Sequence, residues 1–375
     1  MKAVRGRSRL LAAAMMVLLL AACGAEGGAA EDGEAATGST AEEAAPAAEE
    51  SGTEAESAGT GAATSGEVTP VRIASILSGQ AGYLTALIQH LELGAKHGLD
   101  LEVNDLGFVE SANALRQERA DVAMMAPSTI VRLLAEQEFE SVVIGPTNWS
   151  GNAWVVRADA PFESFADLQG ERIGNFPRTT GAYFFSSVLA NAMDLNIEED
   201  FESVEADVSA LVALLENGEL AAVNLFQPHI ARLVVTGDYR VLTDFDDAFL
   251  DVMGARPLKA GYAATPEWIE ANPDAVAAFQ QVLAEAIRTI KAGEDEEFFR
   301  ENAAELFGLT TPEQVDAGFE VNRLNYVAPD EWSQENVEVQ SKILQEGIDL
   351  GLLPEASQGW QDLVWLDCYY DCPSS

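Results

Sequence analysis

The sequence has few of the side chains that most often carry metal or nucleophilic chemistry. Its 375 residues include only three cysteines and three histidines. A structural zinc site alone takes four such ligands, and a thiol or imidazole mechanism needs its nucleophile or base beside a suitable partner. We therefore expect no metal site and no cofactor.

Basic residues are also scarce. Lysine and arginine together number 21 against 62 acidic residues, so the formal net charge is −41 at pH 7. Nucleic acids and anionic lipid surfaces are bound through basic patches, and this composition argues against both as partners. The acidic excess also points to a salt-rich habitat, although part of it lies in the tether described below.

The N-terminus has the pattern of an export signal. The first nine residues carry four basic side chains, and the apolar stretch at residues 10–22 is shorter than the roughly 20 residues of a transmembrane helix. It ends in Leu20-Ala-Ala-Cys23-Gly, which resembles a bacterial lipobox, where the signal peptide is cut before a cysteine that is then lipidated. The alternative is a plain secretory signal. We expect a signal peptide at residues 1–22, lipidation of Cys23, and an extracytoplasmic protein anchored by lipid to the cell membrane of a bacterium.

Residues 23–69 are rich in alanine, glycine, glutamate, serine and threonine and contain no aromatic residue. Such a segment cannot bury enough apolar surface to offset its ordering entropy, so we predict a disordered acidic tether. The remaining 300 or so residues exceed one typical core and predict two lobes.

Strand patterns alternate with helical patterns through the first part of this folded region. Strands are predicted at Val71–Ser75, Leu99–Val103, Asp121–Met125 and Val142–Gly145. This alternation indicates a mostly parallel α/β sheet, and ligands bind such sheets beyond the carboxyl ends of the strands. The loops there supply candidate ligand-binding residues: Ser78, Gly79, Ser128, Thr129, Asn148, Trp149, Ser150 and Asn152.

A second strand–loop–helix unit follows at Arg172–Asn175. Thr179 and Thr180 precede an apolar helix face, where a hydroxyl can cap the free N–H groups of the first turn. With Arg178 beside it, this helix N-terminus is a candidate anion site. An ordinary capped helix would explain the two threonines equally well.

Asp167-Leu-x-Gly-x-Arg-Ile-Gly174 looks like the start of the second lobe in ABC-transporter substrate-binding proteins. The nearest branch is the NMT1/THI5-like group, which includes binders of sulfonates, taurine, nitrate and thiamine precursors. Gly98-Leu-x-Leu-x-Val and Ala264-Thr-Pro-Glu-Trp-Ile-Glu-Ala-Asn-Pro resemble further elements of the same group, and the resemblance covers most of Val71–Pro354. The chain departs from the pattern at Ala221 and Gln227, where the group usually has acidic residues.

The resemblance implies an α/β, type II periplasmic-binding-protein fold: two lobes joined by crossover strands, with a ligand cleft and a hinge. On this basis we expect residues 70–157 to form the first part of lobe 1 and residues 158–250 to form lobe 2. Residues 251–375 would return to lobe 1 and add the C-terminal helices.

The function implied is capture of a small solute outside the cell for an ABC permease, by a monomer, with Gln227 among the ligand-binding residues. Pyrimidine-precursor synthases and menaquinone-pathway dehydratases share the fold, so an enzyme is the alternative, and a lipoprotein that presents ligand to a membrane sensor is another. His229 is the tempting catalytic residue, but no carboxylate or cysteine partner is in view. With few lysines and an export signal, we favour transport and expect no catalytic residue.

Two further expectations concern the ligand and the C-terminus. Arg178 and its helix N-terminus predict a small organic anion with an apolar or aromatic part. Cys368 and Cys372 remain once Cys23 is lipidated, and outside the cytoplasm a disulfide between them is plausible. The aromatic residues available for the apolar part are Trp149, Trp154, Phe176, Tyr183 and Phe226.

Overall fold

The computed structural model describes residues 68–370. The expected signal peptide at 1–22, the lipidated Cys23, nearly all of the tether and Cys372 lie outside these residues and stay predictions. Within the described range, no helix is long and apolar enough to cross a membrane.

The described strands form two five-stranded sheets. In the first the strand order is β2-β1-β3-β10-β4, and in the second it is β7-β6-β8-β5-β9. The strands are β1 Thr69–Ser75, β2 Leu99–Asp105, β3 Val122–Met125, β4 Val142–Trp149, β5 Asn152–Arg157, β6 Arg172–Asn175, β7 Glu202–Glu205, β8 Ala222–Phe226, β9 Tyr239–Asp244 and β10 Leu258–Ala264.

Helices cover both sheets, so that each sheet and its helices form one α/β lobe. The helices are α1 Gly79–His90, α2 Leu93–Lys96, α3 Phe108–Arg116, α4 Pro127–Gln137, α5 Gly181–Ala192, α6 Val208–Glu216, α7 His229–Val234, α8 Phe245–Met253, α9 Pro266–Ala271, α10 Pro273–Ala292, α11 Glu296–Phe307, α12 Pro312–Asn325 and α13 Gln334–Asp349. This two-lobe α/β architecture confirms the predicted type II fold.

The two sheets are built alike. β1 pairs in parallel with β2 and β3, and β6 pairs in parallel with β7 and β8. The exceptions are β10 and β5, which run antiparallel to both of their neighbours. Each exception is the first strand after the chain crosses between sheets, so its amino end lies at the carboxyl edge of its neighbours.

The lobe boundaries differ from those expected. We placed residues 152–157 in lobe 1, but β5 pairs with β8 and β9 in the second sheet. Its fully buried Trp154 stacks on Phe165 at 5.1 Å between ring centroids. The first crossover is therefore Ser150–Gly151, directly after β4. The chain also returns to lobe 1 later than residue 251, because α8 still packs on the second lobe and residues 254–257 form the second crossover.

The C-terminal segment covers β4, the edge strand of the first sheet. Trp365 forms a parallel bridge with Val143, and the Tyr369 hydroxyl donates to the Val143 carbonyl at 2.7 Å. Cys368 is disulfide-bonded, while its predicted pairing with Cys372 falls outside the described residues. This segment satisfies backbone groups that an edge strand would otherwise leave open.

Candidate functional site

The first crossover joins the carboxyl end of β4 directly to the amino end of β5, so the carboxyl edges of the two sheets meet there, and we take the region beside this crossover as the candidate cleft. Lys259 lies at the beginning of β10 in lobe 1, and Phe226 ends β8 in lobe 2. The Lys259 ammonium nitrogen lies 4.7 Å from the centroid of the Phe226 ring. This contact joins the two lobes across the cleft.

Lys259 is a half-buried cation without a matching anion. In the described part of the chain its ammonium group makes no hydrogen bond and has no carboxylate within ion-pair distance, and its contacts are with the Phe226 ring and the more distant charge of Asp246. Burial lowers the pKa of Lys259 to about 8, although the negative charge of Asp246 acts in the opposite direction. The amine is therefore still mostly protonated at pH 7, and it offers a positive charge to the cleft.

Two further rings of lobe 2 pack against Phe226, the ring that Lys259 contacts. Phe176, which follows β6, packs against Phe226 with 5.4 Å between ring centroids. His229 meets the edge of Phe226 at 5.1 Å. Burial lowers the pKa of His229, and the charges of Arg232 and Lys259 lower it further. The imidazole is thus neutral at pH 7 and forms part of a largely uncharged wall.

A buried network of amides holds this wall in place. Asn152 Nδ2 donates to Asn224 Oδ1 at 3.0 Å, and Asn224 Nδ2 donates to Asn175 Oδ1 at 2.9 Å. The Phe176 N–H donates to the same Asn175 oxygen at 3.0 Å, and Asn175 Nδ2 donates to the Ser186 hydroxyl at 2.8 Å. The network links β5, β8, β6 and α5, so it fixes the carboxyl edge of the second sheet.

The first lobe contributes hydroxyl and amide groups at its own carboxyl edge. The hydroxyls of Ser78, at the start of α1, and of Ser128 and Thr129, in the first turn of α4, make no hydrogen bond within residues 68–370. The buried Asn148, near the end of β4, has an amide nitrogen without a partner in the same part of the chain. These groups are available as donors among the described residues, and their role in ligand binding stays a prediction.

Comparison with known families identifies the group to which the chain belongs. The family model described as NMT1/THI5 like matches residues 87–297, which is more than half of the chain. This protein is a member of the NMT1/THI5-like family. No curated protein matches the sequence.

Solved structures with the same fold include periplasmic binding proteins. This family member is similar to the periplasmic aliphatic sulphonate binding protein SsuA from Escherichia coli, with 17% identity over 79% of this chain and 98% of that chain, and a TM-score of 0.64. It is also similar to the periplasmic nitrate-binding protein NrtA from Synechocystis PCC 6803, with 15% identity over 80% of this chain and 86% of that chain, and a TM-score of 0.57. At these identities the likeness shows the fold.

Arg178 is not the lone cation that we predicted. In this NMT1/THI5-like protein the exposed guanidinium contacts the carboxylate of Glu198 and forms an ion pair with Glu205 at 3.0 Å. Both carboxylates belong to lobe 2 and raise the pKa of Arg178, Glu205 most strongly. Arg178 is already neutralised by its own lobe, so the anion site cannot rest on it.

Thr180 follows the alternative interpretation of an ordinary capped helix. The Thr180 hydroxyl accepts from the Tyr183 N–H at 3.2 Å and donates to the Pro177 carbonyl at 2.8 Å, which makes Thr180 the cap of α5. Thr179 is exposed. Gln227 acts in a similar way, because its side-chain oxygen accepts from the Ala231 N–H at 3.2 Å in α7.

Three other candidates lie at the first crossover, and a fourth lies at the start of α1. Trp149 is 2% exposed and packs against Trp332, so it belongs to the core. Ser150 is fully buried, and its hydroxyl accepts from the Asn152 N–H at 3.3 Å. Asn152 belongs to the amide network above. Gly79 adopts a φ of 61° at the start of α1, where it faces open space.

Lys259 is the residue that sequence reasoning missed. A signal was present, because it is the only charged residue in the strand Leu258–Ala264. Its importance depends on the antiparallel pairing of β10 with β4, which brings Leu258 opposite Trp149 at the carboxyl edge. The strand pattern alone does not predict that pairing.

Proposed function

We propose that this protein is an extracytoplasmic solute-binding lipoprotein that captures a small organic anion for an ABC importer. The observation that carries the proposal is Lys259, a half-buried cation between the two lobes without a carboxylate partner in the described residues. Family membership and fold support the transport role. Two proteins of this fold bind anions, a sulphonate and nitrate, according to their descriptions.

An anion would supply the partner that Lys259 lacks. A hydrogen bond to a charged group contributes about 1.5–3 kcal/mol, and attraction between charges is stronger where water is partly excluded. The whole chain carries a formal charge of −41, which repels anions at long range. A local cation is therefore required if an anion is to bind.

The groups around Lys259 indicate the chemistry of the rest of the ligand. Phe176 and Phe226 form an apolar surface next to the cation, and the hydroxyls of Ser78, Ser128 and Thr129 offer donors from lobe 1. A ligand with an anionic head and an apolar or aromatic body satisfies both surfaces. His229 has no carboxylate or thiol partner among the described residues, so we propose binding without catalysis.

The proposals of a lipid anchor and of an ABC permease as partner are argued from the sequence. The export signal and the lipobox-like Leu20–Gly24 support lipidation of Cys23, which would hold the protein at the outer face of the cell membrane. The acidic tether would then let the two lobes reach an ABC permease.

A paired ligand screen tests the proposal. Thermal unfolding would be followed with ethanesulfonate, benzenesulfonate, benzoate and nitrate, and with the matched uncharged sulfonamides and benzamide. An anion at one hundred times its Kd stabilises the folded state by about 2.7 kcal/mol, which appears as a raised Tm. We expect some anions, and none of their uncharged counterparts, to raise Tm. Equal stabilisation by an anion and its uncharged counterpart would reject the anion site.

A further inference from the structure

Asp246 connects the hinge with the candidate anion site. It lies in the first turn of α8 and is only 8% exposed. Its carboxylate accepts from the N–H of Gly151 at 3.3 Å, and the hydroxyl of Ser150 also faces it. Ser150 and Gly151 are the first crossover, and α8 leads directly into the second. Asp246 therefore lies between the two segments that join the lobes.

The charges of Asp244 and Arg256 act on this carboxylate, and two further charged residues, Asp247 and Lys259, lie on the same stretch of chain. Asp244 is the N-cap residue of α8. Asp247 directly follows Asp246 in the chain, and its side chain is 74% exposed. Arg256, in the second crossover, lies 3.9 Å from Asp247. Lys259 lies just beyond the second crossover, and the negative charge of Asp246 raises the pKa of its amine.

Together, these groups and the burial of Asp246 leave its charged form only weakly stabilised. Burial raises its pKa to about 7, and the neighbouring carboxylate of Asp244 acts in the same direction. Ser150, Gly151 and Arg256 favour the charged form but do not cancel the effect. A small electrostatic change in the cleft is thus sufficient to protonate or deprotonate Asp246 near neutral pH.

We propose that Asp246 is a positioning residue for the anion site, and that an anion bound at Lys259 is accompanied by uptake of one proton at Asp246. This inference rests on the proposed function. In the free protein Asp246 is the buried carboxylate whose negative charge acts on Lys259. A bound anion brings a second negative charge into the same partly dehydrated space, and protonation of Asp246 relieves the repulsion. The protonated carboxyl group keeps an oxygen that accepts from Gly151.

The consequence is an affinity that depends on pH. If binding requires the proton, affinity falls by up to about tenfold for each pH unit above the pKa of Asp246. Lys259 would add its own pH dependence, because its pKa is about 8. A Lys259→Arg background removes that contribution, since an arginine stays charged at every pH used. The pKa of His229 is lowered by burial and by the charges of Arg232 and Lys259, and the comparison with Asp246→Asn below separates any titration of His229 from that of Asp246.

Calorimetry in that background tests the inference. Benzenesulfonate, ethanesulfonate, benzoate and nitrate all stay charged from about pH 6.5 to about pH 8.5, and the tightest binder is used. Titrations in two buffers of different ionisation heat count the protons taken up. We expect a falling affinity and proton uptake in Lys259→Arg, and neither in Lys259→Arg with Asp246→Asn, which keeps the acceptor for Gly151. Asp247→Asn, one position along and exposed, is the matched control and should keep the full pH dependence.

The outcomes separate this inference from the proposed function. Binding without proton uptake, or the same pH dependence after Asp246→Asn, overturns the inference alone. If none of the four anions binds either the wild type or Lys259→Arg, the proposed function fails and the inference falls with it. If the arginine variant alone fails to bind, the proton counts of wild type and of Asp246→Asn at about pH 7.5 decide the matter, because Asp246 is mostly deprotonated and Lys259 still mostly charged there; equal counts overturn the inference.

Discussion

Replacement of Lys259 by methionine is the most direct test of the candidate site. The change keeps most of the apolar stem and removes the ammonium group that faces Phe226. If an anion binds this group, the loss of one hydrogen bond to a charged donor costs about 1.5–3 kcal/mol. Affinity should therefore fall by roughly ten- to a hundredfold.

The same substitution should leave the free protein folded. Lys259 has no ion pair to lose among the described residues, and burial disfavours its charge. Because its folded-state pKa of about 8 lies below the ordinary lysine value, the folded state binds fewer protons than the unfolded state above that pH. Wild-type stability should thus rise between about pH 8 and about pH 10.4 through this group, and Lys259→Met should lack that rise.

Isothermal titration calorimetry measures the affinity, and urea unfolding at several pH values measures the stability. Arg178→Ala is the matched control, because it removes a cation that is already paired with Glu198 and Glu205. We expect its affinity to stay within about twofold of wild type, since an exposed ion pair contributes little. An unchanged ligand affinity in Lys259→Met, or a tenfold loss of affinity in Arg178→Ala, would refute the assignment of Lys259 as the anion-binding residue.

The remaining predictions concern the anchor, the hinge and the crossover. Cys23→Ala should move the protein from the membrane fraction to the soluble fraction, and a variant that stays membrane-bound after a salt wash would contradict lipidation. Small-angle scattering should show a smaller radius of gyration at saturating ligand, because lobes joined at Ser150–Gly151 and 254–257 close by hinge motion; an unchanged profile would reject closure. Gly151→Ala should lower the free energy of unfolding by at least about 1 kcal/mol, because φ is 58° there and a Cβ would lie 2.2 Å from Asn325 Nδ2. Gly181→Ala, where no atom lies within 4 Å of the added methyl, should be nearly neutral, and equal losses at both glycines would contradict this reasoning.

Local pattern was sufficient wherever the determinants of structure lie within a few residues. The predicted strand Arg172–Asn175 has the observed bounds, and the predicted strands Val71–Ser75 and Asp121–Met125 end where β1 and β3 end. Thr180 caps α5 as its hydroxyl and position allow. Helix periodicity, strand alternation and capping are set by near neighbours in the chain, and so the alternation of elements could be predicted. Two lobes were expected from the chain length, and the type II fold was implied by the family resemblance.

Assignment of strands to sheets was beyond the sequence. The apolar run Asn152–Arg157 reads as a buried strand in either lobe, and the same pattern would serve both. Only its pairing with β8 and β9 places it in the second sheet and moves the crossover to Ser150–Gly151. Strand pairing joins segments that are distant in the chain, so a local pattern does not encode it.

The roles of the two cations were decided by tertiary structure alone. Arg178 looked free in the sequence, yet its partners Glu198 and Glu205 lie 20 and 27 residues further along the chain. Lys259 looked like an ordinary strand residue, yet the antiparallel register of β10 brings it to the cleft opposite Phe226. What a charge can do depends on the charges and the solvent around it in space. The sequence indicated two lobes and few cations, and the fold decided that Arg178 is paired while Lys259 has no carboxylate partner among the described residues.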